Sequence, residues 1–241
     1  MAEPVARLLL EAPVAIIGRG AIGRWVADRL DGPVTIIGRD EPLPEVALVV
    51  EAAGHAALAS YGPEAVARGQ DLLIASVGAL ADPELEERLF AAAAAGAGRI
   101  ILPAGALVGI DALAAAREGG LDTVTYTAHK PAATLVPDRR LTGPEVILDG
   151  TAREAARAFP KSSNVAATVA LAGIGFERTR VQVIADPDLT TNRHTVTAHG
   201  AFGSFEARVD GLPLPDNPRS SSLTAMSLLR AIRNRAAAVV V

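Results

Sequence analysis

The run Pro13-Val-Ala-Ile-Ile-Gly18-Arg-Gly20-Ala-Ile-Gly23 constrains this chain more than any other. An apolar strand-like segment leads straight into Gly-x-Gly-x-x-Gly, and a helix-like segment from Arg24 to Leu30 follows, which is the order a phosphate-binding βα turn requires. Each glycine has its own task. Gly18 permits a tight turn, Gly20 lets the backbone approach a pyrophosphate, and Gly23 lets the helix pack closely on the strand. The helix start at Ala21 and Ile22 then turns unpaired N–H groups toward an anion. The reading is a dinucleotide site opening a βα unit.

The next hundred residues repeat that grammar. Strands are expected at Val14 to Ile17, Val34 to Ile37, Ala47 to Glu51, Leu72 to Ser76 and Arg99 to Leu102, with helices between them, so a parallel sheet covered by helices follows. Asp82-Pro83-Glu84 reads as a helix start, with Asp as N-cap and Pro in the first turn. After Pro103 the pattern changes. Asp111 is read as the cap of a helix ending at Gly119-Gly120, Asp122 to Lys130 as a strand, Thr151-Ala-Arg-Glu154 as a capping box, and Asn164 to Ile174 as a buried helix. Strands are expected again at Thr179 to Ala185, His194 to His199 and Phe202 to Val209. The tail from Asn217-Pro218 through Ser220 into Leu223 to Ala238 reads as a serine-capped, Leu/Ala/Arg-rich helix that returns to the first domain. The fold class is therefore α/β: a Rossmann-like parallel-sheet domain over 1–106, completed by 217–241, plus a second α/β (α+β) catalytic domain with a mixed sheet over 107–216, serving substrate and dimerisation.

Composition narrows the partners. With 241 residues, half of them apolar, there is ample material for real cores. Net charge is −4 and no basic run appears, which argues against nucleic acid. Cysteine is absent, removing disulfides, thiolate metal sites and Cys nucleophiles together. Glu3, Glu11 and Pro13 interrupt the apolar Leu8-Leu9-Leu10, so neither a signal peptide nor a membrane span is expected, and a cytoplasmic location is. The chain holds two lysines, Lys130 and Lys161, every other basic side chain being Arg. In such a composition a retained Lys is a candidate for a task needing a compact, tunable amine.

The second strand ends Ile37-Gly38-Arg39-Asp40, where an acidic residue would bind the adenosine ribose of NAD. With Gly38 in the acidic place there is room for a 2′-phosphate, and Arg39 can pair with it, favouring NADP. A register two residues later puts Asp40 in the acidic role and restores NAD. Among four histidines, His194 opens a strand after the turn Asp186-Pro187-Asp188 to Asn192, while His199, five residues on, faces the other side. His55 follows Glu51-Ala-Ala-Gly54 at the end of a parallel strand, and His129 precedes Lys130. Asn164 is read either as a helix cap or as an amide presented to the nicotinamide. Asp186 and Asp188 flank Pro187 and read as turn residues. No spacing suggests a metal site, and no Gly-x-Ser-x-Gly elbow suggests a serine hydrolase.

With those residues laid out, the chain resembles the L-aspartate dehydrogenase family over nearly its whole length. The resemblance runs through Ala75-Ser-Val-Gly-Ala-Leu-Ala-Asp-Pro-Glu-Leu, Leu102-Pro-Ala-Gly-Ala106, Phe159-Pro-Lys-Ser-Ser-Asn-Val-Ala-Ala-Thr-Val-Ala-Leu, Ile184-Ala-Asp-Pro, Asn192-Arg-His194 and Asn217-Pro-Arg-Ser-Ser. It implies that His194 is catalytic and that Asn164 and Ala106 contact the cofactor beside Gly18, Gly20, Ala21, Ile22, Gly23 and Arg39. It implies a homodimer acting on a small molecule, L-aspartate, or oxaloacetate plus ammonia in reverse. Two positions depart from the family: Ala104-Gly105-Ala106 replaces its frequent Ser-Gly-Ala, and Gly38 replaces its acidic residue. The implied reaction is NAD(P)-dependent oxidation of aspartate to iminoaspartate, which hydrolyses to oxaloacetate and ammonia, and which can feed NAD synthesis. Hydride would cross about 3 to 3.5 Å in a cleft between domains. His194 would act as general base toward water, a role helped by a pKa near the operating pH. Lys161, then Lys130 and Arg219, are the cations expected to hold the two carboxylates. The alternatives are a reductase of another small dicarboxylic imine or keto acid, like dihydrodipicolinate reductase, and a non-catalytic dinucleotide sensor.

Overall fold

The computed structural model describes residues 12–38, 40–215 and 217–240, the side chains of Lys161, Pro218 and Arg219 excepted. The chain divides into two compact units, Met1–Pro103 with Thr224–Val241, and Ala104–Leu223.

The first unit opens with β1 (Val14–Ile17), α1 (Ala21–Ala27), β2 (Val34–Ile37), β3 (Leu48–Glu51) and α2 (His55–Ala67). It continues with β4 (Asp71–Ile74), a 3-10 turn over Val77–Ala81, α3 (Pro83–Ala95) and β5 (Ile100–Ile101). All five strands are parallel, in the order β2-β1-β3-β4-β5. Every residue of β1, β3 and β4 is buried, as a sheet covered on both faces demands. The predicted start of α3 is present: the Asp82 carboxylate accepts the Glu84 N–H at 3.0 Å, and Pro83 occupies the first turn, where its missing N–H costs nothing.

The second unit carries α4 (Ile110–Gly119), β6 (Leu121–Pro131), α5 (Ala132–Leu135), β7 (Glu145–Thr151) and α6 (Ala152–Ala158). A 3-10 turn at Pro160–Ser162 leads into α7 (Asn164–Ala172), then β8 (Arg180–Asp186), β9 (Arg193–Gly200), β10 (Gly203–Asp210), β11 (Pro213–Leu214) and β12 (Asn217–Ser221). Its main sheet is mixed, ordered β10-β9-β6-β8-β7, with β6 parallel to β8 and antiparallel to β9. Helices α6 and α7 pack together, as do α4 and α7. The capping box at Thr151 forms in both directions, Thr151 Oγ1 accepting the Glu154 N–H and Glu154 accepting the Thr151 N–H at 2.7 Å.

The last helix, α8 (Ser222–Asn234), belongs mainly to the first unit. Its Leu228 and Ile232, one turn apart, join Val14, Ile16, Val26, Leu48, Val50 and Leu73 in one buried cluster. Beyond its end, Arg235 pairs with Asp71, which also accepts Arg99 N at 2.9 Å and Arg99 Nη2 at 2.8 Å.

Two sequence expectations need correction, and one strand lies outside them. Asp111 does not cap α4: the helix starts at Ile110 behind Gly109, whose φ of 75° places it in the left-handed region, leaving Asp111 in the first turn. Asn217 to Ser221 is a strand paired with Pro213–Leu214, and the helix begins only at Ser222. Strand β7 was not anticipated, because pairing with β8 organises a segment that Gly143 and Pro144 make loop-like.

Candidate active site

The glycine fingerprint sits where strand order reverses, since β1 lies between β2 and β3. Such switch points leave a crevice at the carboxyl ends of the strands. Gly18 has φ 117° and donates its N–H to Ile37 O at 2.9 Å; a Cβ on it would lie 2.7 Å from Ala52 O, in the loop after β3. A Cβ on Gly23 would lie 2.1 Å from Gly18 O, so α1 rests on the turn itself. Gly20 differs from both. Nothing lies within 4 Å of where its Cβ would be, so the backbone there borders open space. A cradle with a bare backbone edge at the start of a helix fits a pyrophosphate, and Ala21 and Ile22 supply the first helical turn beside it.

A buried acid fixes the neighbouring loops. Glu51, at the end of β3, is 0% exposed and accepts from Ala53 N at 2.7 Å, Gly54 N at 2.8 Å, Ser76 N at 3.0 Å and Ser76 Oγ at 3.1 Å. Burial pushes its carboxyl up and these donors pull it down. One side chain thereby ties the loop after β3 to the loop after β4, and His55 opens α2 directly behind it.

The acidic residue that folds back onto the end of β2 is Glu41. Glu41 folds back to accept Gly38 N at 3.0 Å and a two-pronged contact from Arg19 Nη2 at 2.7 and 2.9 Å. A Cβ at position 38 would lie 2.2 Å from Arg19 Nη1, so the missing side chain is what lets this guanidinium lie across the strand end. Asp40 instead supplies the bend, with φ 66°. Arg39 lies outside the described residues.

In the second unit, Tyr126, Ala128 and Lys130 alternate along one side of β6 while His194, Val196 and Ala198 do so along β9. The register sets His194 opposite Ala128, making Tyr126 its diagonal neighbour. Tyr126 Oη and His194 Nδ1 are 2.8 Å apart, and the rings stack with centroids 6.0 Å apart. Burial, and then the charge of Lys130, hold His194 down at about 4. An imidazole held down that far is neutral at physiological pH. Tyr126 is fully buried and pushed up, remaining a phenol. Burial also lowers Lys130, whose ammonium has no hydrogen bond or ion pair among the described residues. Tyr126 and Lys130 line a small pocket, together with Ser162, Ser163, Phe159 and Val183.

The other candidates distribute as follows. Asn164 is the first residue of α7, and the capping place before it is Ser163; the Asn164 carbonyl accepts Thr168 Oγ1 at 3.0 Å. Ala106 is buried just after Gly105, whose φ is 65°. His199 is exposed, on the other face from His194. His129 Nδ1 lies 3.5 Å from Asp186 Oδ2, while Asp186 Oδ1 accepts the Asp188 N–H at 3.0 Å in the turn expected there. The Lys161 and Arg219 side chains lie outside the described part. No group of three or more His, Asp or Glu among the described residues is arranged to hold a metal, and no helix among them is long and apolar enough to cross a membrane. The sequence reading missed Arg19, Glu41, Glu51 and Tyr126. Arg19 and Glu51 stood inside motifs already singled out, whereas Tyr126 gave no signal until the β6 and β9 register was known.

Residues 111–235 match the family model described as aspartate dehydrogenase, C-terminal, and residues 27–103 match that of the homoserine dehydrogenase NAD binding domain. An L-aspartate dehydrogenase of Cupriavidus taiwanensis is 44% identical over 94% of this chain and 98% of its own. The chain belongs to the aspartate dehydrogenase family. Another aspartate dehydrogenase relative, from Pseudomonas aeruginosa, is 51% identical over 80% of this chain and 75% of its own. The crystal structure of the aspartate dehydrogenase of Thermotoga maritima superposes with a TM-score of 0.84 at 28% identity, covering 96% of this chain and 100% of that one. A hyperthermophilic archaeal homoserine dehydrogenase shares the fold alone, with a TM-score of 0.58 at 9% identity.

Proposed function

We propose that this aspartate dehydrogenase family member oxidises L-aspartate to iminoaspartate with NAD or NADP, water then releasing oxaloacetate and ammonia, and that it runs the reverse amination as well. The observation that carries the reading is the neutral His194 ring, hydrogen-bonded to Tyr126, beside a Lys130 ammonium without an ion pair among the described residues. When bound, the nicotinamide dinucleotide supplies the acceptor for the hydride leaving the aspartate α-carbon. Gly18, Gly20, Ala21, Ile22 and Gly23 hold its pyrophosphate, with Ala106 and Asn164 as further contacts. A half-buried ammonium is favoured when an anion joins it, so Lys130 holds one substrate carboxylate, and Lys161 and Arg219 are the cations for the other. His194, neutral at working pH, takes the proton from the water that attacks the imine carbon, and returns it when the carbinolamine dehydrates in reverse.

NADP acceptance rests on Arg39 in sequence and on the Arg19 guanidinium at the end of β2, while Glu41 offers the acceptor an NAD ribose would use. The first unit serves the cofactor and the second the substrate, in a cytoplasmic homodimer. Reduction of NAD and NADP is to be compared with L-aspartate, D-aspartate, glutamate and malate. Signal with L-aspartate above the others is expected, and none with either aspartate overturns the reading in favour of a dinucleotide sensor. A His194→Ala variant that binds cofactor and keeps full turnover removes the base assignment.

A further inference from the structure

Tyr126 touches two things at once, the His194 ring and the Lys130 pocket, and this double contact carries a prediction about protons. A phenol has one proton to give and an oxygen that accepts. Among the described residues His194 Nδ1 is the hydrogen-bond partner of the Tyr126 hydroxyl. When the phenol donates along this contact, Nδ1 is the acceptor and the neutral imidazole keeps its own proton on Nε2. In that state His194 has no lone pair to offer at Nε2.

A carboxylate beside Lys130 changes the balance. It offers the Tyr126 hydroxyl an ionised acceptor, and hydrogen bonds to ionised groups are roughly twice as strong as neutral ones. We propose that Tyr126 is a positioning residue that couples occupancy of the Lys130 pocket by a substrate carboxylate to the tautomer of His194. In the occupied state the Tyr126 hydroxyl donates to the carboxylate, its oxygen accepts from Nδ1–H, and Nε2 is left with the lone pair that general-base work needs. Protons balance without an external acid: Nδ1 takes the phenol proton, the phenol oxygen takes one from water, and Nε2 releases one to water. The base form then exists only when a dicarboxylate is present. The inference rests on the carboxylate and base roles proposed above for Lys130 and His194.

The test reads the tautomer directly, by nitrogen NMR of protein labelled at the imidazoles, saturated with NAD and titrated with succinate, a dicarboxylate that lacks the reacting amine. In the unmodified protein the proton is expected on Nε2 without succinate and on Nδ1 with it. In Tyr126→Phe, which keeps the ring and removes one oxygen, thermal shift is expected to report succinate binding while the tautomer no longer responds. Turnover of aspartate by that variant is expected to fall about 10- to 100-fold in kcat, part of what general-base catalysis contributes, with KM changing much less. A proton that stays on Nε2 at saturating succinate, or that sits on Nδ1 before any is added, overturns the coupling. So does a failure of succinate to bind, since the pocket is then no carboxylate site. Because the tautomer is read without turnover, these outcomes are separate from a failure to dehydrogenate aspartate.

Discussion

Gly20 and Gly23 stand three residues apart in one motif, yet methyl groups at the two positions should fail in opposite ways. In Gly20→Ala the new Cβ meets nothing within 4 Å, and the backbone, at φ −77° and ψ −179°, suits alanine. The protein without cofactor should be unharmed, or gain about 0.4 to 1 kcal/mol because the unfolded chain loses freedom. Cofactor binding should suffer, since the methyl fills the space the pyrophosphate needs. Losing one or two charge-assisted N–H contacts at about 1.5 to 3 kcal/mol each raises Kd at least about 10- to 100-fold. In Gly23→Ala the Cβ would lie 2.1 Å from Gly18 O, and opening the gap to the 3.0 Å that real contacts require forces α1 off β1. Overpacking costs about 1 to 3 kcal/mol, offset by up to about 1 from better helix propensity. A fall in Tm of about 2 to 8 °C should follow. Differential scanning fluorimetry without cofactor, paired with fluorescence titration of NADH and NADPH, separates the two. Gly20→Ala with unchanged affinity for both cofactors, or with a Tm lowered as much as that of Gly23→Ala, refutes the assignment of open space at Gly20 to the pyrophosphate.

Lys130→Met should raise KM for L-aspartate about 10- to 100-fold by removing a charge-assisted contact. It should also let His194 titrate above about 4, shifting the acid limb of kcat/KM upward, because the Lys130 charge is one of the forces holding that ring down. Asp71→Asn should cost about 1 to 3 kcal/mol in urea unfolding, since Arg99 and Arg235 lose their shared carboxylate. Burial works against the Asp71 charge, but the two guanidinium groups overcome it and hold the carboxyl well below its usual range. A depressed native pKa contributes stability that is present above the unfolded value of about 3.9 and is lost as pH falls below it, so the variant should show a flatter acid denaturation profile. Glu41→Gln should free Arg19 for a 2′-phosphate and weaken the ribose acceptor, raising the ratio of NADP to NAD affinity about 10-fold by calorimetry; an unchanged ratio removes Glu41 from cofactor choice.

What the sequence could say followed the range of the forces involved. Local signals transferred well: β1 and β2 span the residues expected, Pro83 and the Thr151 capping box start their helices, and the Gly-x-Gly-x-x-Gly turn has the three distinct environments its spacing implied. Asp111 misled because a left-handed Gly109 began the helix first, and Asn217 to Ser221 misled because a two-stranded pairing outweighed its serine-rich, cap-like composition. His194 stood out by resemblance, but its environment did not. The Tyr126 partner is 68 positions earlier and meets it through an antiparallel register that no local pattern encodes. Likewise Glu41 turns back three residues to the Gly38 N–H, through a bend at Asp40 that spacing rules do not anticipate.

The position of α8 in the chain sets an order of assembly during synthesis. Val14, Ile16, Leu48 and Val50 emerge from the ribosome well ahead of Leu228 and Ile232, and of the Arg235 that closes onto Asp71 across 164 positions. Until then the parallel sheet has one apolar face without its final cover, while residues 104–223 already have all of their own contacts available. The first unit therefore has all of its residues only after those of the second have been made, although its synthesis starts earlier. A nascent chain stopped before Leu228 would present that bare face to chaperones and proteases.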